Sequence, residues 1–190
     1  MKRYAIIPTG NRPKEYLSVI ESCKLAGVET ITIATSKKAI AYSDGLCLYD
    51  DGLNISKWWN MGLEEIAGKE NGDYLVAILN DDAILPSNWF DKMEKSISLG
   101  VSGASSPRSA RGNKIAGYAF ALSGKDNIRA DENAVWWYTD DIIQRRCEMT
   151  NGFSLVYGLQ VGNTYGNSSV ERFQKQIDKD RLYYNEFYGG

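Results

Sequence analysis

Two pairs of adjacent aspartates are the residues of this chain best suited to chemistry. Asp81-Asp82 follow a run of six apolar or aromatic residues, Tyr74–Leu79, and Asp140-Asp141 follow a loop that contains Trp136 and Trp137. One carboxylate can carry a divalent cation that neutralises a leaving diphosphate, and a second can accept the proton of an attacking hydroxyl. The two pairs together predict a metal-assisted transfer to an oxygen nucleophile.

The chain contains no histidine, which narrows the possible chemistry. Ser-His catalysis, Cys-His catalysis and histidine-rich metal sites are excluded within this chain. Acid–base chemistry near neutral pH must then use Asp, Glu, Lys, Tyr or Cys. A metal must be held mainly by oxygen, and this points to Mn²⁺ or Mg²⁺ as the cofactor.

Asn80-Asp81-Asp82 can be interpreted in two ways from the local sequence. The apolar run before them is typical of a strand buried on both faces of a parallel sheet. Open α/β sheets bind ligands beyond the carboxyl ends of such strands, which favours a metal or phosphate site. The alternative is a polar turn after a core strand, with Asp82 or Ser87 near the start of the next helix. This stretch alone supports both interpretations equally.

Composition indicates one globular domain in the cytoplasm. Its 190 residues, 43% of them hydrophobic and 24% charged, are ordinary for a soluble protein with a real core. A net charge of -2 gives no overall attraction to nucleic acid or membranes, and no apolar run is long enough to span a bilayer. The three widely spaced cysteines, Cys23, Cys47 and Cys147, favour reduced, buried thiols over a disulfide framework or a zinc site.

Strands and helices are predicted to alternate through the first hundred residues. A strand–helix–strand succession favours a parallel, right-handed unit, so we expect a Rossmann-like, mostly parallel central sheet flanked by helices. After Gly100 the pattern is more irregular. The predicted strands cover residues 2–7, 28–34, 46–49, 74–79, 115–122, 153–157 and 159–161, and the predicted helices begin near residues 13, 54, 87, 142 and 170.

Four stretches, in a fixed order, carry a resemblance to a known family. They are residues 5–13, residues 52–62, residues 73–86 and residues 136–146, the last followed by a similar segment at residues 151–157. Each motif alone is weak, but their order and spacing together are specific and extend over nearly the whole chain. The chain resembles a family-2-type glycosyltransferase with the GT-A fold.

The resemblance implies a single GT-A-like domain over residues 1–190 and a nucleotide-diphosphate sugar as donor. Residues 1–100 are then the nucleotide-sugar-binding half and residues 101–190 the acceptor-binding half. The implied reaction moves the sugar to a hydroxyl acceptor with inversion. The acceptor is left open as a glycan, a protein side chain or a modified nucleic-acid base.

The resemblance also implies roles for the acidic residues. Asp82 falls on the family's metal-binding aspartate and Asp81 on a position that contacts the ribose or the sugar. Asn80 replaces the usual first aspartate. Asp140 falls on the general base, and Asp141 is its rival because Thr139 replaces the glutamate that normally precedes the base.

Other positions are implied to bind the donor, the metal or the acceptor. Asn163 stands where a family histidine often completes the metal shell, and Trp136 and Trp137 are expected to stack on the acceptor. The expected nucleotide-sugar-binding residues are Pro8, Thr9, Arg12, Asn54, Lys57, Asn60, Asn80 and Asp81. An aspartate that often contacts the base after the second strand is replaced here by residues 34–36, Ala-Thr-Ser.

Simpler structural roles compete with several of these assignments. Lys57 can pack its stem beside Trp58 and Trp59, at least one of which we expect in the core, instead of reaching a phosphate. Trp136 and Trp137 can merely anchor their loop. The basic residues Arg108, Arg111 and Lys114 either lie in a solvated loop or meet a diphosphate or anionic acceptor.

Two other functions compete with glycosyl transfer. A nucleotidylyltransferase should have a Gly-rich phosphate loop with basic residues directly after the first strand, and residues 9–12, Thr-Gly-Asn-Arg, are a poor match. A degenerate nucleotide-sugar or glycan-binding module is favoured by the replacements Asn80 and Thr139 and by the missing histidine.

Overall fold

The computed structural model describes residues 1–107, 114–164 and 170–189. Their strands are β1 (Lys2–Thr9), β2 (Glu29–Ala34), β3 (Leu46–Tyr49), β4 (Tyr74–Leu79), β5 (Ala83–Ile84), β6 (Gly103–Pro107), β7 (Ile115–Ser123), β8 (Phe153–Leu155) and β9 (Gly162–Asn163). The helices are α1 (Pro13–Leu25), α2 (Lys37–Ile40), α3 (Ile55–Ala67), α4 (Trp89–Ser98), α5 (Thr139–Thr150) and α6 (Val170–Phe187).

Seven strands form one sheet in the order β3-β2-β1-β4-β7-β6-β8, and β5 pairs with β9 in a separate two-stranded sheet. Neighbouring strands are parallel except where β7 meets β4 and β6. The prediction of an α/β fold with a Rossmann-like, mostly parallel sheet is confirmed. The carboxyl ends of β1 and β4 lie side by side at its centre, where open sheets of this kind bind ligands.

Helices cover both faces of the sheet and make two apolar layers. Apolar residues of α3 and α5 pack on one face and those of α1 and α4 on the other. All six residues of β4 are buried, as a continuous apolar run predicts. Successive side chains of β4 pack alternately into the two apolar layers. Gly62 lets α3 approach β1 closely, since a Cβ there would lie 2.6 Å from the Ile6 side chain. Trp58 and Trp59 both belong to the core.

Several element boundaries differ from the sequence-based prediction. Strand β1 continues through Pro8 to Thr9, because its pairing with β4 ends at Ile6 and the missing N–H of Pro8 disrupts no ladder there. Strands β5, β6 and β9 and helix α2 were not predicted, and the last helix extends to Phe187. The strand predicted at residues 159–161 is wrong, since the short strand β9 begins only at Gly162. Arg108 and Arg111 lie outside the described residues.

The three cysteines are free thiols, and Cys23 and Cys147 are buried while Cys47 is half-buried. Burial raises the pKa of the Cys23 thiol to about 12, so it stays protonated and packs as a small apolar group. Among the described residues, we find no helix with the length and apolar character to cross a membrane.

Candidate functional site

Side chains from β1, from the turn after it and from the end of β4 meet at the centre of the sheet. The Thr9 hydroxyl donates a hydrogen bond of 2.8 Å to Oδ2 of Asp81. Nη1 of Arg12 lies 3.4 Å from Oδ1 of Asp81 and 3.4 Å from Oδ2 of Asp82. Residues about 70 positions apart in sequence therefore form one polar cluster, at the place where the sheet predicts a ligand.

Both carboxylates of this cluster are removed from water. Asp81 is 8% exposed and Asp82 is 3% exposed. Burial raises the pKa of the Asp81 carboxyl; the Thr9 hydrogen bond and the Arg12 guanidinium act in the opposite direction, and the neighbouring charge of Asp82 adds to the rise. Two buried acids side by side are stable as anions only when positive charge or hydrogen-bond donors face them.

The turn after β4 brings Asn163 beside the acid pair. The backbone N–H of Ala83 bonds to the carbonyl of Asn80, and β5 then pairs antiparallel with β9, with Ala83 opposite Asn163. The backbone N–H of Thr164 donates to the carbonyl of Asp82 at 3.2 Å. Asp82 and Asn163 are far apart in sequence, and both are predicted to hold the metal. The backbone segments that carry them are hydrogen-bonded to each other.

The chemistry of these side chains fits a hard divalent cation. Asp81, Asp82 and Asn163 offer only oxygen ligands, which Mg²⁺ and Mn²⁺ prefer. Throughout residues 1–107, 114–164 and 170–189, no cluster of three or more Asp, Glu, Cys or His side chains is present. A set this small suits a cation that keeps several waters and takes further ligands from substrate phosphates, as Mg²⁺ commonly does.

Tyr42 is a member of the cluster that the sequence did not reveal. Its hydroxyl lies 3.1 Å from the Thr9 hydroxyl and accepts the backbone N–H of Arg12 at 3.3 Å. The two residues after β2 support the same turn, because the backbone N–H of Thr35 donates to the Thr9 carbonyl at 2.8 Å and the Ser36 hydroxyl donates to the Gly10 carbonyl. A tyrosine after an unpredicted four-residue helix carries no pattern that marks it as a site residue.

Three predicted donor-binding residues of α3 make contacts of their own. The side-chain Oδ1 of Asn54 accepts the backbone N–H of Lys57 and caps the helix, and the side-chain amide of Asn54 donates to the backbone carbonyl of Glu132. Lys57 forms an ion pair with Asp50 at 2.9 Å. Asn60 is buried, and its side chain bonds to both the N–H and the carbonyl of Ala130. The contacts of Asn54 and Asn60 connect α3 to the loop that leads to α5, and the Lys57 ion pair connects it to the turn after β3. Donor binding by the three residues stays a prediction.

The second acid pair opens helix α5, and its two members face different surroundings. Asp140 packs against Gly117 of β7 so closely that a Cβ on that glycine would lie 2.1 Å from Oδ2 of Asp140. Gly117 precedes Tyr118, whose carbonyl accepts the backbone N–H of Asn80 at 2.9 Å. Asp140 therefore packs against β7, the strand next to β4, and the first acid pair directly follows Asn80 at the end of β4.

Asp141 forms an ion pair with Lys114, with 3.0 Å between Nζ and Oδ1. The hydrogen bond to Asp141 raises the pKa of the Lys114 ammonium, with a smaller electrostatic contribution from Asp140. Asp141 thus pairs with Lys114, whereas Asp140 packs against Gly117 of β7; which of the two acts as the base stays a prediction.

The loop before α5 holds Trp136 and Trp137. The Trp136 ring packs edge-on against Trp58, with 6.0 Å between the ring centroids. It also contacts the Phe173 ring of α6 in a tilted arrangement, with 4.6 Å between the centroids. Both tryptophans are half-buried, and their backbone N–H groups donate to Asp180, a buried residue of α6. Sequence reasoning missed Asp180, since one acid in a polar helical segment resembles a solvated residue. The loop ends at Tyr138, whose left-handed φ of 64° is uncommon for a non-glycine residue.

No protein-family model and no curated protein matches this chain. Many solved structures are similar to it in fold, and three of them illustrate the likeness. A 4-diphosphocytidyl-2C-methyl-D-erythritol synthase aligns with a TM-score of 0.57 and 10% identity, covering 93% of this chain and 98% of that chain. A197 from STIV aligns with a TM-score of 0.55 and 11% identity, covering 86% of each chain.

The inositol-1-phosphate CTP transferase from T. maritima aligns with a TM-score of 0.54 and 10% identity, covering 95% of this chain and 96% of that chain. At such low identities the likeness establishes a shared fold and leaves the reaction to be argued from the site.

Proposed function

We propose that this chain is a glycosyltransferase that uses a nucleotide-diphosphate sugar and a divalent cation. One arrangement supports the proposal above all others. Buried Asp81 and Asp82 meet Thr9 and Arg12 at the carboxyl ends of adjacent parallel strands, and Asp140 of α5 packs against Gly117 of β7, the strand next to β4. The site thus combines a group of charged residues that can bind the donor's diphosphate with a separate carboxylate that can accept a proton from the acceptor.

Donor binding begins with the cluster at the end of β1. The Arg12 guanidinium is a rigid donor array for phosphate oxygens, and the Thr9 hydroxyl and the backbone of residues 8–10 border the same space. Asp82, Asp81 and Asn163 would hold the cation, which when bound would neutralise negative charge on the leaving diphosphate. Asn80, with its neutral amide, is suited to a ribose or sugar hydroxyl.

Asp140 is the proposed general base. The acceptor hydroxyl transfers its proton to the Asp140 carboxylate, its oxygen bonds to the anomeric carbon, and the bond from that carbon to the diphosphate oxygen breaks. Attack from the face opposite the leaving group inverts the anomeric configuration. Trp136 and Trp137, four and three residues before Asp140 in the chain, are suited to the apolar face of an acceptor.

Nucleotidyl transfer is the second candidate, and the comparisons favour it. One similar structure is named as a CTP transferase and another as a diphosphocytidyl compound synthase. The turn between β1 and α1 argues for glycosyl transfer, because only residues 10–12 connect the two elements and their one basic residue is Arg12. A triphosphate cradle would be expected to use a longer Gly-rich loop with more basic residues.

Product analysis separates the candidates. The protein is first screened by thermal shift against nucleotide sugars and nucleoside triphosphates, each with and without Mn²⁺, because ligands that bind the native state raise the melting temperature. The protein is then incubated with each nucleotide that raised its melting temperature and with mixtures of acceptors, and the products are identified by mass spectrometry. A nucleoside diphosphate released with a glycosylated acceptor supports our proposal. Pyrophosphate release establishes nucleotidyl transfer, and binding without turnover indicates a binding module.

A further inference from the structure

Helix α6 carries the buried Asp180, whose carboxylate accepts three consecutive backbone N–H groups of the loop before α5. The N–H of Val135 donates to Oδ1 at 3.1 Å, and those of Trp136 and Trp137 donate to Oδ2 at 2.7 and 2.8 Å. The Gln176 amide donates to Oδ1 at 2.7 Å. Asp180 is 1% exposed, so these four donors replace the water that a carboxylate would otherwise bind.

The two sides of this loop are bound by different helices. Helix α3 donates to its carbonyls, with the Ser56 hydroxyl bonding to Ala134 and the Ile55 N–H bonding to Val135. Asp180 accepts the N–H groups that follow. A buried anion is a costly way to satisfy three amides that solvent could satisfy in an exposed loop. Its benefit is a defined backbone, because one carboxylate fixes three consecutive N–H directions.

The held segment leads directly to the proposed base. Tyr138 follows Trp137 with its left-handed φ of 64°, and its ring stacks on Tyr184 of the same helix α6 at 4.9 Å. Thr139 and Asp140 then begin α5. Asp140 lies only three residues after Trp137 in the chain. Any shift of the backbone at Trp137 would therefore move Asp140 relative to Gly117.

We propose that Asp180 is a positioning residue for the acceptor side of the site. It fixes the backbone of residues 135–137, and so sets where Trp136, Trp137 and Asp140 meet the acceptor. This inference rests on the proposed glycosyl transfer for its catalytic consequence, while the loop contact itself does not depend on the reaction.

The test compares Asp180→Asn with Asp178→Asn in the full chain. Asp178 is a half-exposed acid on the same helix and pairs with Arg181, so its variant controls for loss of one charge from α6. Amide hydrogen exchange over residues 134–138 should accelerate at least about tenfold in Asp180→Asn and stay unchanged in Asp178→Asn. Asp180→Glu, which retains the charge, should restore part of the protection.

Steady-state kinetics give the readout that a purely structural role would not produce. In Asp180→Asn the acceptor KM should rise by about tenfold and kcat should fall, while the dissociation constant of the donor stays within about twofold. Should Asp180→Asn fail to fold, Gln176→Ala removes one partner of the carboxylate and should shift the acceptor KM in the same direction by less.

The possible results separate this inference from the proposed function. Faster exchange at the loop with an unchanged acceptor KM would overturn the positioning role, and so would unchanged exchange. If the wild-type protein transfers no sugar, the proposed function fails, and hydrogen exchange still determines whether Asp180 holds the loop.

Discussion

The guanidinium of Arg12 lies 3.4 Å from a carboxylate oxygen of Asp82, and the same nitrogen lies 3.4 Å from Asp81. The protein thus supplies its own positive charge to the two buried acids that we propose as cation ligands. A divalent cation at Asp82 would have to share or displace that charge, since like charges a few ångströms apart repel strongly in a partly buried site.

Arg12→Gln should therefore bind Mn²⁺ more tightly in the absence of donor, by about tenfold, because the competing charge is removed. Donor affinity should fall in the same variant, since Arg12 is also the proposed phosphate ligand. Isothermal titration with MnCl₂ and with the nucleotide sugar measures both. Lys14→Gln, on the exposed first turn of α1, is the control for loss of one charge. Weaker Mn²⁺ binding by Arg12→Gln would contradict the competition.

Asp82→Asn should abolish measurable Mn²⁺ binding and reduce transfer by about 1,000-fold, because stabilisation of the leaving diphosphate is worth several kcal/mol. The matched control is Asp73→Asn, which changes an exposed acid just before the opposite end of β4. Turnover and Mn²⁺ titration are measured for both. Full transfer activity in Asp82→Asn would contradict the proposed role of the cation and indicate cation-independent transfer.

Asp81 should make stability depend on pH. Burial raises the pKa of this carboxyl above its ordinary 3.8, so the folded protein retains the proton to higher pH than the unfolded chain. The stabilisation that this retained proton contributes is fully present below about pH 3.8, and it is lost as the pH rises through the raised pKa of Asp81. Asp81→Asn should therefore be more stable than wild type at pH 7, by about 1 kcal/mol or about 2–4 °C, with a smaller difference at pH 4.

Thermal melts between pH 4 and pH 8 measure this difference, and the same series should show weaker Mn²⁺ binding to the wild type as Asp81 becomes protonated at low pH. A less stable Asp81→Asn at neutral pH would mean that Arg12 and Thr9 more than offset the burial of the charge. Higher stability combined with lost donor binding is the usual sign that a residue is kept for function.

The sequence predicted the central part of the fold because its signals there are strong. An unbroken apolar run predicted β4, and Asn54 and Pro13 predicted the starts of α3 and α1. Strand β6 was missed since Gly103–Pro107 reads Gly-Ala-Ser-Ser-Pro, a composition typical of loops. Its Ser105 hydroxyl is satisfied inside the sheet by the Ala119 carbonyl, which no local pattern reveals.

The site was predictable where it follows strand ends and unpredictable where it depends on long-range packing. Asp81 and Asp82 were marked by the strand before them. Tyr42 and Asp180 were not marked, because their roles come from hydrogen bonds to residues more than 30 positions away. A one-dimensional pattern contains no information about such partners unless they also lie on a periodic face.

Asp140 and Asp141 are adjacent, so they provide a direct comparison. Asp140→Asn should lower kcat by about 100- to 10,000-fold, the range for loss of a general base, and leave donor binding intact. Asp141→Asn should alter kcat by no more than about threefold, because Asp141 is already paired with Lys114 at the surface. Initial rates at saturating donor measure the difference. The reverse order of effects would assign the base to Asp141.

Gly117 should be needed to make room for the Asp140 carboxylate. A Cβ at position 117 would lie 2.1 Å from Oδ2 and 2.6 Å from Cγ of Asp140, so Gly117→Ala must displace that side chain. A displacement of about 1 Å at a reacting group costs about 100-fold in rate. Stability should change little, since alanine is otherwise at least as favourable as glycine within a strand.

Kinetics of single and double variants test this contact. Gly117→Ala should lower kcat by about 100-fold in the wild-type background and have little further effect in Asp140→Asn, because the displaced group is then already inactive. Gly68→Ala is the matched control, since its added Cβ would have its nearest contact at 3.5 Å, with the Glu64 carbonyl. Equal losses from Gly117→Ala in both backgrounds would show that the glycine acts through the sheet and not through Asp140.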